Sequence, residues 1–355
     1  FYPTKEAKNS NMKHRPVGLG IAGFQDALYA MDIPFDSDEC VKFADRSMEV
    51  ISHAAIMASS NLARERGAYE SFTGSKWDRG IFPVDTIKLL EENRGVSTGT
   101  DVSESLDWAP VRESVKKYGM RNSNCMAIAP TATTANISGA IPGIEPIYKN
   151  IYVKANISGD FIIVNTALVN DLKTRGLWNK DMLDTLKYHD GSLSEIPEIP
   201  AEMKAKYKET FDIDMRWLVK AAAARGKWID QSQSLNIFYA GTSGKEISDL
   251  YLYAWEAGVK TTYYLRSLGA SQVEKSTVSK AGTQLRKSQN SSSQSTDAKG
   301  SQKTNKPVPS PMATPSPIQK EQIDAAKVAE KIAAKPSGSI KLHVAADSVC
   351  ESCEG

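Results

Sequence analysis

The sequence predicts an α/β fold in which helices cover both faces of a sheet. Short apolar runs suited to buried strands alternate with segments of helical periodicity, Gly and Pro residues separate them, and aromatic residues occur only in the first 264 positions. Alternating strands and helices are typical of α/β proteins. The 355 residues carry a formal net charge of +2, so no strong field indicates nucleic acid or a membrane surface as a partner.

The cysteine content and the lack of long apolar runs predict a reducing, cytoplasmic setting. No run is long enough to span a bilayer, and no signal peptide is visible. Cys40, Cys125, Cys350 and Cys353 are too few and too scattered for the disulfide framework of a secreted protein. Because the chain begins at Phe1 within a segment of structured character, we expect a fragment or a processed piece.

The first predicted elements are helical. Residues 15–31 are apolar with spaced glycines, which predicts a closely packed helix start; a dinucleotide-binding loop is rejected because no strand precedes the glycines. Residues 36–39 supply acids and caps for a long helix. Its predicted buried face consists of Val41, Ala44, Met48, Ile51, Ala55, Ala58 and Leu62. Cys40 and His53 would lie about 20 Å apart on this helix, so both are interpreted as structural.

The next segments lead to a short central strand. Residues 68–80 are predicted to be an irregular surface excursion, 88–107 a charged loop, and 108–120 a helix. Met126, Ala127, Ile128 and Ala129 form an apolar run that is long enough for one buried strand. Cys125, at its start, is interpreted as a small buried hydrophobic residue.

A cluster of hydroxyl groups follows this strand. Pro130 is followed by Thr131, Thr133 and Thr134, and small residues continue to Ala140. This pattern predicts a helix N-terminus, where free N–H groups and aligned peptide dipoles favour negative charge. The added hydroxyls suit the segment to a phosphate. An ordinary capped helix remains the alternative, and the segment alone does not decide between them.

The rest of the globular region is predicted to alternate between strands and helices. The predicted strands are 151–154, 234–239 and 259–266, and the predicted helices follow Asn165, span 202–225 and begin at Ser243. The last strand carries Tyr263 and Tyr264. Strands favour tyrosine, so a core or interface role is the simpler interpretation, whereas reversible oxidation of the phenols would allow a one-electron pathway. Neighbours in a regular strand face opposite ways, so contact between the rings requires a break in the pleat.

The composition changes after the last strand. Residues 271–337 are predicted to be a flexible linker rich in Ser, Gln, Lys and Pro, with a short, marginal helix at 321–335. Residues 338–355 form a tail that carries the pair Cys350 and Cys353. Two thiols at this spacing can exchange disulfides or hold zinc with His343 as a third ligand. No fourth ligand is in view, which favours redox exchange.

Several of these stretches together resemble the large catalytic subunit of class I ribonucleotide reductases. The matching stretches are RPVGLGIAGFQDAL (15–28), APTATTANISG (129–139), GIEPIYKNIY (143–152), DQSQSLNIF (230–238), KTTYYLR (260–266) and the terminal CESC (350–353). The resemblance covers nearly the whole chain except the linker. It implies that residues 1–270 are the C-terminal part of a ten-stranded α/β barrel, built from two antiparallel halves of five parallel strands, and that a redox-active disordered tail follows.

The resemblance also implies a role for each candidate residue. The substrate diphosphate would be bound by Pro130, Thr131, Ala132, Thr133 and Thr134. Tyr263 and Tyr264 would pass an oxidising equivalent from a small radical subunit that holds the metal-radical cofactor. Cys350 and Cys353 would reduce the active-site disulfide after each turnover, and thioredoxin or glutaredoxin would then reduce them.

One family motif is absent from the 355 residues. The reaction replaces the ribose 2′-hydroxyl by hydrogen through a cysteine thiyl radical, whose motif is Asn-x-Cys-x-Glu, and two further thiols supply electrons. Neither that motif nor the thiol pair of the barrel occurs here. The resemblance therefore implies a ribonucleoside-diphosphate reductase that is inactive as this chain alone. It would need the N-terminal portion of the large subunit, which binds ATP and dNTP effectors, and a small subunit, with the complete large subunit forming a homodimer.

The chain itself is expected to bind no metal or other cofactor directly. Two alternatives remain: an inert truncation whose sheet edges stay open, and a thiol-disulfide exchange module that uses only the tail. The threonine cluster and the tyrosine pair favour the reductase over a thiol module, because a thiol carrier needs neither feature.

Overall fold

The structure is a computed structural model that describes residues 1–156 and 159–267. Its α-helices in these ranges are α1 (Lys5–His14), α2 (Phe24–Ala30), α3 (Asp38–Arg66), α4 (Asp85–Arg94), α5 (Ala109–Tyr118), α6 (Thr134–Ser138), α7 (Thr166–Thr174), α8 (Lys180–Tyr188), α9 (Ala201–Lys206), α10 (Met215–Gly226) and α11 (Gly244–Glu256). The strands are β1 (Ile151–Asn156), β2 (Gly159–Val164), β3 (Ile237–Tyr239) and β4 (Leu265–Ser267). The predicted linker, its short helix and the tail with Cys350 and Cys353 lie outside the described residues.

Extended segments that pair in parallel form the framework of the fold. Leu19 pairs with Met126, and Ile128 pairs with Gln233. Strands β3 and β4 also pair in parallel. The segments 17–19, 124–128, 231–239 and 263–267 therefore lie side by side in chain order. This confirms the α/β prediction; within the described residues the array does not close into a ring.

The long helix begins where the sequence predicted, but its buried face differs in part. Ser37 caps α3 by accepting a hydrogen bond from the Cys40 N–H, 3.2 Å away. Ala44 and Met48 are buried as predicted, whereas Ala58 is exposed. The other buried positions are Cys40, Glu49, Ser52, Ile56, Ser59, Ser60 and Ala63. Several of these are polar because the face meets hydrogen-bonding partners from residues 105–122 rather than a purely apolar surface.

Three other segment predictions need correction. Residues 68–80 are irregular, but Tyr69 and Trp77 are buried in the main core, so the segment is not a surface excursion. Helix α4 occupies part of the predicted loop at 88–107. The predicted helix at 202–225 is divided into α9 and α10, because Asp214 caps a new helix by accepting a hydrogen bond from the Arg216 N–H.

The spaced glycines allow strands rather than helices to pack closely. Residues 17–19 are paired with the central strand, and α2 begins only at Phe24. A Cβ added at Gly20 would lie 2.5 Å from the carbonyl oxygen of Ala127. Only glycine permits this approach of two backbones, which corrects the prediction of a helix start.

Asp230 and Lys260 form hydrogen bonds that connect the parallel segments near their N-terminal ends. The Asp230 carboxylate accepts hydrogen bonds from the N–H groups of Cys125 (2.6 Å) and Met126 (2.9 Å). The Lys260 ammonium donates to the carbonyl of Gln231 at 3.1 Å. Burial raises the pKa of Asp230 and lowers the pKa of Lys260 to about 8. The Asp230 carboxylate thus holds the start of the central strand against the next segment, and Lys260 adds a second link at the surface.

A second, smaller core lies beside the antiparallel hairpin of β1 and β2. Asn150, which precedes β1, donates its N–H to Glu209 at 2.6 Å and its side-chain amide to the carbonyl of Tyr207 at 2.8 Å. Asn150 and Glu209 are both buried. Burial raises the pKa of Glu209 from its ordinary 4.5 to about 7, although the bond from Asn150 opposes the shift.

We expect this carboxyl group to make the folded state more stable in mild acid. Because its pKa is higher in the folded chain than in the unfolded one, the stabilisation is full below pH 4.5 and is lost as the pH rises through about 7. The change in the free energy of unfolding is at most ~3 kcal/mol. Urea unfolding at pH 5 and pH 7.5 should show this difference in the wild type and not in Glu209→Gln. A Glu198→Gln variant, at an exposed position, should behave as the wild type does; equal pH dependence in the wild type and Glu209→Gln would contradict the assignment.

Candidate active site at the ends of the parallel segments

The threonine segment follows directly from the central strand. The Thr131 carbonyl accepts a hydrogen bond from the Ala135 N–H at 2.8 Å, and its hydroxyl accepts one from the Gly143 N–H at 2.7 Å. Thr131 has a positive φ of 56°, an uncommon conformation for a residue other than glycine. The predicted helix N-terminus is confirmed, since α6 begins at Thr134. Thr131 therefore fixes both sides of a turn that leads into this short helix.

The other two threonine side chains do not cap the helix. Thr133 occupies the N-cap position of α6 but makes no side-chain capping hydrogen bond. Thr133 and Thr134 are exposed, and so is Pro130. The alternative of an ordinary helix capped by a threonine side chain is therefore not supported. The hydroxyls of Thr133 and Thr134 and the first N–H of α6 lie together at this exposed turn, where the Thr134 hydroxyl also donates to the Thr131 carbonyl at 3.5 Å.

The tyrosine pair lies at a break in the pairing of β3 with the last segment. The Tyr263 N–H donates to the carbonyl of Leu235, and the Ile237 N–H donates to the carbonyl of Tyr264, both at 2.8 Å. In a regular parallel pair both bonds would involve the same residue of the second segment. Two residues thus oppose Asn236, which is the geometry of a β-bulge. The prediction of one regular strand over 259–266 is wrong here, since β4 begins at Leu265.

The bulge brings the two phenol rings into contact. The ring centroids of Tyr263 and Tyr264 are 4.0 Å apart with an interplanar angle of 46°. The hydroxyl groups are 3.2 Å apart and hydrogen-bonded. The exposed fractions are 51% for Tyr263 and 40% for Tyr264, so the pair lies at the surface rather than in the core. The break in the pleat that ring contact requires is therefore present.

The threonine segment and the tyrosine pair lie at the same end of the parallel array. Ile128 pairs with Gln233, and two residues further along that neighbouring segment the carbonyl of Leu235 bonds to Tyr263. Ile128 and Tyr263 belong to segments separated by two interstrand spacings, or ~10 Å. Ligands of parallel α/β sheets bind beyond the carboxyl ends of the strands. The backbone thus brings both candidate groups to the end where such sites form.

Two further residues of this site were not predicted as site residues. Glu145 accepts a hydrogen bond from the Asn236 N–H at 3.2 Å, and Asn236 accepts one from the Tyr264 N–H at 3.1 Å. Both residues occur within the matching sequence stretches but in no motif of their own. Only their polarity could have indicated them in the sequence. Glu145 lies between Ile144 and Pro146, and Asn236 lies inside a predicted strand.

The buried thiols of the described region are not poised for chemistry. Cys40 and Cys125 are free and buried, and burial raises the pKa of each to about 12. Such thiols are poor nucleophiles near neutral pH. Across residues 1–156 and 159–267 we find no cluster of His, Cys, Asp and Glu side chains that could hold a metal ion, and no helix suited to crossing a bilayer.

Comparison with known proteins relates this arrangement to one family. Residues 1–265 match the family model described as "Ribonucleotide reductase, barrel domain". The chain is 52% identical over 295 residues to the ribonucleoside-diphosphate reductase subunit alpha of Chlamydia pneumoniae, which covers 82% of this chain and 28% of that protein. It is 42% identical over 279 residues to the ribonucleoside-diphosphate reductase large chain of Schizosaccharomyces pombe, which covers 78% and 33%.

A solved structure shows the same relationship. The class Id ribonucleotide reductase alpha subunit of Actinobacillus ureae superposes with a TM-score of 0.57 and 26% identity over 74% of this chain and 41% of that one. The chain thus spans about 30% of the length of the curated relatives it matches.

Proposed function

The chain belongs to the ribonucleotide reductase large-subunit family, and from this premise we propose that it supplies three parts of a ribonucleoside-diphosphate reductase. These parts are the site for the substrate diphosphate, the tyrosine relay and the thiols that restore the reduced enzyme. The reaction class, oxidoreductase chemistry in deoxyribonucleotide biosynthesis, is the one that the names of the relatives give.

The observation that carries the proposal is the contact between two exposed phenols beside an exposed threonine turn. A core tyrosine needs neither the 3.2 Å contact between hydroxyls nor surface exposure. Once the radical subunit has oxidised one phenol to a phenoxyl radical, that radical can take one electron and one proton from the other phenol, and the hydrogen bond between the two hydroxyl groups provides a path for the proton. Surface exposure gives a small radical subunit access to the pair. The metal-radical cofactor belongs to that subunit.

The threonine turn is proposed to bind the substrate through its diphosphate. The hydroxyls of Thr133 and Thr134 and the N–H group of Thr134 can donate hydrogen bonds to phosphate oxygens, with Pro130, Thr131 and Ala132 shaping the turn. In the overall reaction a ribonucleoside diphosphate and two thiols give a 2′-deoxyribonucleoside diphosphate, water and a disulfide. Because the Asn-x-Cys-x-Glu motif is absent from these 355 residues, we assign the reacting cysteine and the effector sites to the N-terminal portion of the large subunit.

The tail is proposed to return the enzyme to its reduced state. In this proposal residues 1–270 belong to the catalytic barrel, residues 271–337 connect it to the tail, and residues 338–355 carry the exchanging thiols. Cys350 and Cys353 transfer two electrons to the active-site disulfide and become a disulfide themselves, which thioredoxin or glutaredoxin then reduces. The linker raises the local concentration of these thiols. We propose a cytoplasmic setting, where such reductants operate, and a homodimeric complete subunit.

The experiment that tests the diphosphate site is a binding measurement on the chain combined with the N-terminal portion of a related large subunit, hereafter the reconstituted large subunit. We expect Thr133→Val to raise the dissociation constant for CDP about tenfold, because a hydrogen bond to a charged group contributes ~1.5 kcal/mol. Affinity for cytidine should not change. Valine keeps the β-branched shape, and Thr133 caps nothing, so the fold should be unaffected.

The matched control is Thr174→Val, at an exposed position on α7. Its CDP affinity should equal that of the wild type. Equal CDP affinity in Thr133→Val and the wild type would argue against a role for this hydroxyl in phosphate binding.

A further inference from the structure

We propose that Asn236, oriented by Glu145, is a positioning residue that holds Tyr263 and Tyr264 in contact. The inference rests on the relay role proposed above for the two tyrosines. It assigns the geometry of the relay to two residues that are neither oxidised nor in contact with the substrate diphosphate.

The bulge at the tyrosine pair has an unusual hydrogen-bond pattern. A bulge adds one residue to one strand, and one backbone N–H then lies outside the ladder. Here the carbonyl of Leu235 binds the Tyr263 N–H, which leaves the Tyr264 N–H without a ladder carbonyl. The side-chain oxygen Oδ1 of Asn236 accepts that N–H at 3.1 Å. Asn236 thus replaces the missing backbone acceptor at the residue that the bulge inserts.

The Asn236 amide has a defined orientation. The side chain is 5% exposed, so each of its polar atoms needs a partner. The Glu145 carboxylate accepts the Asn236 backbone N–H at 3.2 Å, and the Asn236 side chain is close enough to that carboxylate to lower its pKa. With the NH₂ group turned to Glu145, the carbonyl oxygen Oδ1 faces Tyr264. Burial raises the pKa of Glu145, while its bonds from Asn236 and the charge of Arg266 lower it.

The tyrosine pair is also linked to the rest of the site. Arg266 lies over the Tyr264 ring, with its guanidinium carbon 5.3 Å from the ring centroid. Glu145 comes two residues after Gly143, whose N–H is bound by the Thr131 hydroxyl. The backbone from Gly143 to Glu145 therefore connects the hydrogen bond at the threonine turn with those that Glu145 and Asn236 make towards the tyrosine pair. A regular ladder of backbone hydrogen bonds would be enough for the fold. It would, however, place the rings of Tyr263 and Tyr264 on opposite faces of the sheet.

The test compares Asn236→Ala with the wild type in the reconstituted large subunit. With the small subunit and a dithiol present, we expect kcat to fall about a hundredfold, because a displacement near 1 Å of reacting groups has an effect of this size. The KM for CDP should not change. Hydrogen exchange at the Tyr264 amide should accelerate at least about tenfold, whereas the Tyr263 amide, bound to Leu235, should keep its protection.

A conservative exchange and a matched control separate positioning from general stability. The double variant N236D/E145Q swaps acid and amide but keeps every donor and acceptor paired, so it should recover most of the turnover and the protection of Tyr264. Glu145→Gln alone places the NH₂ group of the new glutamine against the NH₂ group of Asn236 and should lower kcat. Asn150→Ala removes a buried asparagine from the second core and should destabilise the fold without changing kcat.

Each outcome bears on one proposal or on both. Wild-type kcat in Asn236→Ala, together with an inactive Tyr264→Phe, overturns the positioning role and leaves the relay intact. Full activity in Tyr264→Phe overturns the relay and with it this inference. If Asn236→Ala does not fold, Glu145→Gln and the double variant decide: higher kcat in the double variant supports the positioning role, and equal kcat in both overturns it.

Discussion

Replacing Tyr264 with phenylalanine is expected to stop nucleotide reduction by the reconstituted large subunit while substrate binding stays intact. Phenylalanine keeps the ring that packs 4.0 Å from Tyr263 but lacks the hydroxyl that exchanges an electron and a proton. We expect kcat to fall by at least about a thousandfold, equal to ~4 kcal/mol of activation free energy. The measurement is the rate of dCDP formation with the small subunit and a dithiol, together with the dissociation constant for CDP.

The matched control for this change is Tyr253→Phe on α11. That tyrosine packs against the main core and has no part in the pair, so dCDP formation should continue at the wild-type rate. Continued turnover in Tyr264→Phe would contradict the relay. A large rise in its CDP dissociation constant would instead assign Tyr264 to substrate binding.

Replacing Asp230 with alanine is expected to be the most destabilising of the changes considered. The backbone N–H groups of Cys125 and Met126 would lose their acceptor, and the Lys260 ammonium would lose its nearby charge. Leaving a buried N–H group without its acceptor costs about 1–3 kcal/mol, so the loss of both acceptors should cost about 2–6 kcal/mol, a large part of the stability of an ordinary domain. The measurement is the free energy of unfolding in urea.

Two comparisons isolate the cause of this destabilisation. Asp214→Ala removes an exposed N-cap at α10 and should cost only about 1 kcal/mol. The double variant D230A/K260M removes the unpaired charge as well and should be more stable than D230A. The stabilising role assigned to Asp230 would be wrong if D230A lost no more stability than D214A.

Local features of the fold could be predicted from the sequence because their causes lie within a few residues. Ser37, Asn165 and Ser243 cap helices where their neighbours indicated, since a cap binds an N–H two or three residues away. Helix α1 was missed because it buries no residue and so has no apolar periodicity. Strand β2 was missed within the segment that precedes Asn165, although β1 was found.

The sequence pointed to the candidate reactive groups but not to the residues that hold them in place. The tyrosine pair and the threonine segment are recognisable as residue types, and the need for a break in the pleat followed from strand geometry. The cause of the break did not, because the Asn236 that bonds to Tyr264 lies 28 residues earlier. Asp230 accepts a hydrogen bond from Cys125, which lies 105 residues earlier, and no sequence pattern predicts such a contact. Long-range hydrogen bonds of this kind become visible only in the folded chain.

The central claim is that this chain contributes the diphosphate site, the relay and the reducing thiols of one enzyme. The most direct test mixes the purified chain with the N-terminal portion of a related large subunit, the small radical subunit, CDP and a dithiol reductant, and measures deoxycytidine diphosphate. We expect product in the complete mixture and none when the chain is left out. A folded and associated mixture that forms no deoxynucleotide would contradict the account.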